Sequence, residues 1–140
     1  MQIKDSIAYK YALWCTQPEN DYVGVYVKKQ AKAWIKIVEG QDEEACIDDE
    51  MYTKIMNISE LMVHPDLRCP MSEGLEPYAH FFIIAIFCTK KKNDKSIRYY
   101  TSGLLEIARK NFKTFVCAVI FILLLLTEPQ FSRFFSVAPD

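Results

Sequence analysis

The sequence predicts an α/β protein in which a helical N-terminal part leads into the first strands of a parallel sheet. The composition fits a globular domain, because 51% of the 140 residues are hydrophobic and 25% are charged. Towards the C-terminus, Leu104–Ala108 is typical of a short buried strand, and Phe115–Leu126 is typical of a helix that is buried on all sides. An apolar seam with spacings of four or three residues indicates a long helix before them, and its members are Val23, Val27, Ala31, Trp34 and Val38.

Four helices are predicted in the N-terminal part, separated by polar or proline-containing breaks. Thr16–Asn20 ends the first helix, and Gly40 lies in the break after the second. Asp48–Glu50 are expected in the first turn of the third helix, where carboxylates interact favourably with the helix dipole. Pro77 is tolerated in the first turn of the fourth. The predicted helices span residues 5–15, 21–39, 48–62 and 76–87.

Three strands are predicted in the C-terminal part. Ile97–Tyr100 is followed by the turn Thr101–Gly103 and then by Leu104–Ala108. Phe134–Ala138 is expected to lie parallel to Leu104–Ala108, and a right-handed crossover through the apolar helix would connect the two. The chain would then contain the first βαβ unit of a parallel sheet.

The cysteines and histidines argue against a metal centre. The five cysteines are scattered without a Cys-x-x-Cys pair, and the two histidines are His64 and His80. An odd number of cysteines in apolar surroundings suits a reducing cytoplasm, and the N-terminus lacks the pattern of a signal peptide. Phe115–Leu126 is shorter than the roughly 20 residues that a bilayer span needs. The sequence therefore predicts a cytoplasmic protein with no membrane segment.

Lys113 and Thr114 stand at the start of the apolar helix, after the predicted strand and a basic loop. This is the layout of a phosphate-binding loop. Backbone N–H groups and the positive end of the helix dipole face the polyphosphate, the lysine reaches the outer phosphates, and the hydroxyl holds Mg²⁺. The two glycines of the usual pattern would fall at Ile107 and Phe112, and neither residue is glycine.

The segment Ala108–Thr114 resembles the variant phosphate loop of tailed-phage terminase large subunits, the ATPases that pump DNA into capsids. The similarity extends along residues 104–140, including Glu128–Pro129, and more weakly back through Glu76–Tyr78 to the N-terminus. The resemblance implies an N-terminal fragment of such a subunit that ends just after the first βαβ unit. Residues 1–75 would form a helical region, and residues 76–140 an incomplete phosphate-loop ATPase domain.

The resemblance also implies a role for each residue of the loop, with ATP and Mg²⁺ as cofactors. Lys113 would contact the outer phosphates and Thr114 would hold the metal. Arg109 and Lys110 would neutralise the γ-phosphate, and Asn111 would shape the loop.

Two further positions belong to the implied site. Phe112 takes the place of the usual glycine, and Tyr78 would supply an aromatic contact to adenine, although core packing is an equal alternative for it. The implied partners are double-stranded phage DNA, the small terminase subunit and the portal protein, in the cytoplasm of the host. Self-association through open sheet edges is also expected.

The chain is not expected to hydrolyse ATP. Phosphoryl transfer needs acids that hold the metal and orient a water, and the resemblance places them on a strand after Asp140. Asp48–Glu50 are rejected for this role because they lie upstream of the loop. The alternative is a non-catalytic prophage remnant, or a helical interaction module without nucleotide binding. Lys28, Lys32 and Lys36 form a stripe that is either a DNA contact or, as we favour, a solvated face.

Overall fold

The computed structural model describes residues 2–108 and 112–137. The chain divides into two compact units, Met1–Leu104 and Leu105–Asp140. The elements of the first unit are a 3₁₀ turn (Ile3–Asp5), helices α1 (Ile7–Thr16), α2 (Val25–Val38), α3 (Asp49–Leu61), α4 (Met71–Gly74) and α5 (Pro77–Cys88), and strands β1 (Ala45–Ile47) and β2 (Thr89–Lys91). The second unit contains α6 (Lys113–Thr127).

The ends of α1 and α2 are defined by local hydrogen bonds. Ser6 caps α1, because its side chain accepts a hydrogen bond from the Tyr9 N–H at 3.0 Å. The predicted start of α2 at Asp21 is wrong by four residues. A turn occupies this stretch, in which the Val23 N–H donates to the Asn20 carbonyl and the Asn20 amide donates to the Trp14 carbonyl.

The C-terminus of α2 is closed by Gly40 in a left-handed conformation, with φ 77°. The Gly40 N–H donates to the Ile37 carbonyl, and the Gln41 N–H donates to the Lys36 carbonyl at 2.8 Å. This pair of bonds is the Schellman arrangement, which satisfies carbonyls of the last helical turn. These two hydrogen bonds end α2 just before an acidic stretch of the sequence.

Trp34 lies at the centre of the first unit, where α1 packs against α2 and α5. Its side chain is fully buried, and its ring meets the Phe81 ring edge-on at 5.3 Å between centroids. Its Nε1–H donates to the Thr89 hydroxyl at 3.1 Å, so the one polar atom of the indole is satisfied inside the core. The predicted seam is confirmed at Ala31 and Trp34, whereas Val27 at its N-terminal end is 40% exposed.

The prediction that Asp48–Glu50 begin a helix is confirmed. The Asp48 carboxylate accepts a hydrogen bond from the Met51 N–H at 3.0 Å and caps α3, while Asp49 and Glu50 lie in its first turn. These acids therefore have a structural explanation in the helix that they open.

Both histidines contact the short helix α4 or its ends. The His64 Nδ1 accepts hydrogen bonds from the N–H groups of Asp66 and Leu67, and a Cβ at Gly74 would lie 2.8 Å from the His64 ring. His80 is buried and hydrogen bonds with the Ser72 backbone, and its Nε2 has no hydrogen-bond partner among the described residues. Burial lowers the pKa of His80 and the Ser72 bond opposes that change.

The strands of residues 2–108 and 112–137 form a two-stranded antiparallel sheet. β1 pairs with β2 in the register Ala45↔Lys91, Cys46↔Lys90 and Ile47↔Thr89. The predicted strand Ile97–Tyr100 is reduced to one antiparallel bridge, between Arg98 and Lys90. The protein is thus a mixed α/β protein, as predicted, although its described strands do not run parallel.

The predicted strands Leu104–Ala108 and Phe134–Ala138 are wrong for the residues that the structure describes, 104–108 and 134–137. A strand needs a hydrogen-bonded neighbour and a buried face. Neither segment pairs with another strand, and Leu104, Phe135 and Val137 are between 82% and 95% exposed. The expected route of self-association through these sheet edges has no basis in this structure.

Helix α6 confirms the apolar helix predicted at Phe115–Leu126 and begins two residues earlier. Val116, Val119 and Leu123 form its buried side, whereas Ile122 and Leu125 are exposed. The expectation of burial on every side is therefore wrong. No helix in the described part of the chain combines the length and apolar character that a membrane span requires.

Candidate phosphate-binding site at the start of α6

The start of α6 carries Lys113 and Thr114 in its first turn, as the sequence predicts, and both are exposed. The first intrahelical bond runs from the Val116 N–H to the Phe112 carbonyl at 2.9 Å. Phe112 supplies no side-chain hydrogen bond to the helix end. Because α6 has 15 residues, its peptide dipoles place a partial positive charge at this end. This arrangement can attract an anion through backbone N–H groups and the Lys113 ammonium.

Phe112 adopts a left-handed conformation, with φ 56° and ψ 19°. This is the backbone conformation for which glycine is the usual residue, and a side chain costs on the order of 1 kcal/mol there. The Phe112 ring is 56% exposed and meets the Phe115 ring edge-on at 6.5 Å between centroids. The aromatic contact offsets part of the backbone strain.

The predicted contacts of Arg109, Lys110 and Asn111 lie outside the described residues. The described part of the loop is therefore its C-terminal end, Phe112–Thr114. The groups that this part of the loop can offer to a ligand are one cation, one hydroxyl and the N-terminus of a long helix.

Tyr78 lies in the first turn of α5, within the first compact unit, and is half-buried. Burial, and then the Glu76 carboxylate, raise the pKa of its hydroxyl. The loop belongs to the second unit. Ala79 is fully buried, so the residue next to Tyr78 in α5 serves the core.

No group of three metal-ligating side chains occurs within residues 2–108 and 112–137. A Mg²⁺ ion at Thr114 would accordingly take most of its oxygen ligands from phosphate and water, as Mg²⁺ commonly does at nucleotide sites. A shallow depression of about 500 Å³ lies along α3, and no motif in the sequence indicates it. It contains none of the predicted site residues and is lined by Asp49, Glu50, Thr53, Lys54 and Asn57.

Comparisons of this chain with protein-family models, with curated proteins and with solved structures found no match.

Proposed function

We propose that the start of α6 binds the phosphates of Mg²⁺-ATP, and that the chain is an N-terminal part of a terminase large subunit, the ATPase of phage DNA packaging. The observation that carries the proposal is the left-handed backbone of Phe112, immediately before Lys113. A phosphate loop needs such a conformation at this position because the chain must turn sharply into the helix. Phe112 provides it without glycine.

In the proposed complex, Lys113 contacts the outer phosphates and the Thr114 hydroxyl holds Mg²⁺. Arg109 and Lys110 neutralise the γ-phosphate. Charge-assisted hydrogen bonds of this kind contribute about 1.5–3 kcal/mol each. The strain of about 1 kcal/mol at Phe112 is already present before a nucleotide binds, so the departure from glycine does not oppose these contacts. The partners in this proposal are duplex DNA, the small terminase subunit and the portal protein.

A second candidate is a helical interaction module that binds no nucleotide. It is favoured by the conformation of residues 104–108, which form no strand before the loop. A phosphate loop is ordinarily held between a strand and a helix. Nucleotide titration separates the two candidates.

We expect Phe112→Gly to be about 1 kcal/mol more stable towards unfolding than Phe112→Ala. Both variants remove the ring and its contact with Phe115, whereas only alanine keeps the Cβ that strains the left-handed backbone. Because residue 112 is left-handed before any nucleotide binds, the strain lowers the stability of the helix start and leaves the affinity unchanged. Urea unfolding of both variants measures the difference, and calorimetric titration of both variants and of the unchanged chain measures the binding of Mg²⁺-ATP.

Equal stabilities of the two variants would contradict the left-handed backbone at residue 112. The absence of saturable ATP binding in all three chains would eliminate the phosphate site and favour the helical interaction module.

A further inference from the structure

The solvent side of α2 carries a line of lysines, and Lys29, Lys32 and Lys36 define this basic face of α2. All three are exposed, and they recur at i, i+3 and i+7, which aligns them along the side of the helix opposite its buried residues. Lys28 lies outside the line. It is half-buried on the side of α1, where burial raises the pKa of the Cys15 thiol and the Lys28 charge opposes that rise. The line that faces solvent therefore differs from the stripe predicted from the sequence.

The basic face contains no acid that would neutralise it. Val25–Val38 includes four lysines and no aspartate or glutamate. The side chains of Lys29 and Lys32 form no hydrogen bond or ion pair with another described residue. Lys36 is close enough to the Asp42 carboxylate for the two charges to interact. The attraction for an anion is therefore strongest at Lys29 and Lys32, although the net charge of the whole chain is -1.

A largely exposed aromatic ring is held at the N-terminal end of the basic face. Tyr22 lies three residues before the start of α2 and is 72% exposed. Its ring meets the Trp14 ring edge-on at 5.8 Å between centroids, and its hydroxyl donates to the Asn20 Oδ1 at 3.3 Å. A second open ring, that of Tyr26, lies three residues before Lys29 on the same side of the helix. These contacts fix the Tyr22 ring and leave most of its surface free for a ligand.

We infer that the basic face of α2 and the Tyr22 ring bind single-stranded nucleic acid. Lys29 and Lys36 are about 10 Å apart along the helix axis, which corresponds to about three intervals of a strand that rises 3.4 Å per nucleotide. The lysines would contact successive phosphates, and an unpaired base would stack on Tyr22. A positively charged track combined with an aromatic platform is how proteins bind a strand without sequence preference.

Two other polyanions match this surface less well. In a duplex the bases stack on one another, so their faces are not available to a tyrosine ring. An anionic lipid surface takes up a helix through an apolar face that is flanked by cations. The line along α2 instead holds three lysines and one exposed apolar residue, Val25.

Fluorescence anisotropy of the full chain with a labelled thymidine oligonucleotide of about 16 nucleotides measures the binding. If two or three phosphates are neutralised, the logarithm of the association constant should fall with the logarithm of the salt concentration with a slope of about -1.4 to -2. We expect the double variant Lys29→Gln, Lys32→Gln to bring the slope to about -0.7 or closer to zero. The matched control is Lys4→Gln, Lys54→Gln, which removes two exposed lysines of the first unit outside α2 and should leave the slope unchanged.

The role of the aromatic ring is tested separately. Tyr22→Ala should weaken binding of the oligonucleotide about 5–150-fold, the range expected for the loss of one stacked base. Tyr22→Phe keeps the ring and should retain most of the affinity. A hairpin duplex should bind more weakly than the single strand, and its affinity should be the same for both variants. Circular dichroism of each variant checks that the first unit stays folded.

This inference does not rest on the proposed phosphate site, because its residues all lie in the first unit. Lys113→Ala should therefore leave oligonucleotide binding unchanged, and a loss in that variant would place the strand at the start of α6 and overturn the inference. Three further results would also overturn it. They are the absence of saturable binding at low salt, whether or not the chain binds phosphatidylserine vesicles; an equal change of slope in the two double variants; and equal affinities of Tyr22→Ala and Tyr22→Phe for the single strand.

Discussion

Replacement of Trp34 by alanine is expected to lower the free energy of unfolding of the first unit by about 3–5 kcal/mol. The side chain is fully buried, packs edge-on against Phe81 and donates a hydrogen bond to the Thr89 hydroxyl. Alanine would leave a cavity where α1, α2 and α5 meet, and it would leave the Thr89 hydroxyl buried without its donor. Urea unfolding followed by circular dichroism measures the loss.

Trp14 provides the control, because it is the other tryptophan of the chain and is 37% exposed. It contacts the rings of Tyr11 and Tyr22 on the surface of the unit. Loss of these contacts should cost about 0.5–1.5 kcal/mol. If Trp34→Ala destabilises the protein no more than Trp14→Ala does, the packing described for the first unit is incorrect.

The second large effect is expected for Lys113→Ala, which should lower the affinity for Mg²⁺-ATP by about 10–150-fold. The range corresponds to the loss of one charge-assisted hydrogen bond of about 1.5–3 kcal/mol. Because Lys113 is exposed in the first turn of α6, its removal should leave the fold intact. At a fixed ATP concentration the ATP-dependent rise in melting temperature should accordingly become smaller, while the melting temperature without ATP is unchanged.

Lys95→Ala is the matched control, since Lys95 is an exposed lysine in the polar segment after β2. Both variants remove one positive charge, so general electrostatic attraction falls equally. If the two variants respond to ATP alike, the nucleotide binds non-specifically. If Lys113→Ala retains the full thermal response, any ATP site lies elsewhere.

Periodic segments were the part of the fold that could be predicted from the sequence. Residues 48–62 and 76–87 contain their own capping signals and an apolar pattern, and α3 and α5 fall within one residue of them. Such information is local, since a helix satisfies its hydrogen bonds within the segment. The start of α2 was misjudged because Asn20 ties residues 20–23 into a turn through a bond to the Trp14 carbonyl, six residues before it.

Strands were harder to predict because their hydrogen bonds are made to distant segments. β1 has only three residues, Ala45–Ile47, and its partner β2 follows more than 40 residues later. Leu104–Ala108 has the composition of a strand, but composition does not show whether a second strand lies beside it to form hydrogen bonds.

The candidate site also combines a local feature that could be predicted with one that could not. The helix start at Lys113 could be predicted from the apolar run that follows it. The left-handed φ of Phe112 could be suspected only from the expected position of glycine, because its aromatic side chain carries no signal for that conformation.

The Nε2 of His80 has no hydrogen-bond partner among the described residues, and protonation of this side chain is therefore coupled to the unfolding of the first unit. Burial holds the folded pKa below the ordinary 6.5, so the native side chain is neutral at pH values where the exposed side chain of the unfolded chain is already protonated. Between the folded pKa and 6.5, unfolding takes up a proton at His80, and stability due to this residue rises with pH. Above that interval the two states bind equal numbers of protons there, and the contribution is fully present. Proton uptake across the unfolding transition in weakly buffered solution would be absent in His80→Gln if this residue is its source.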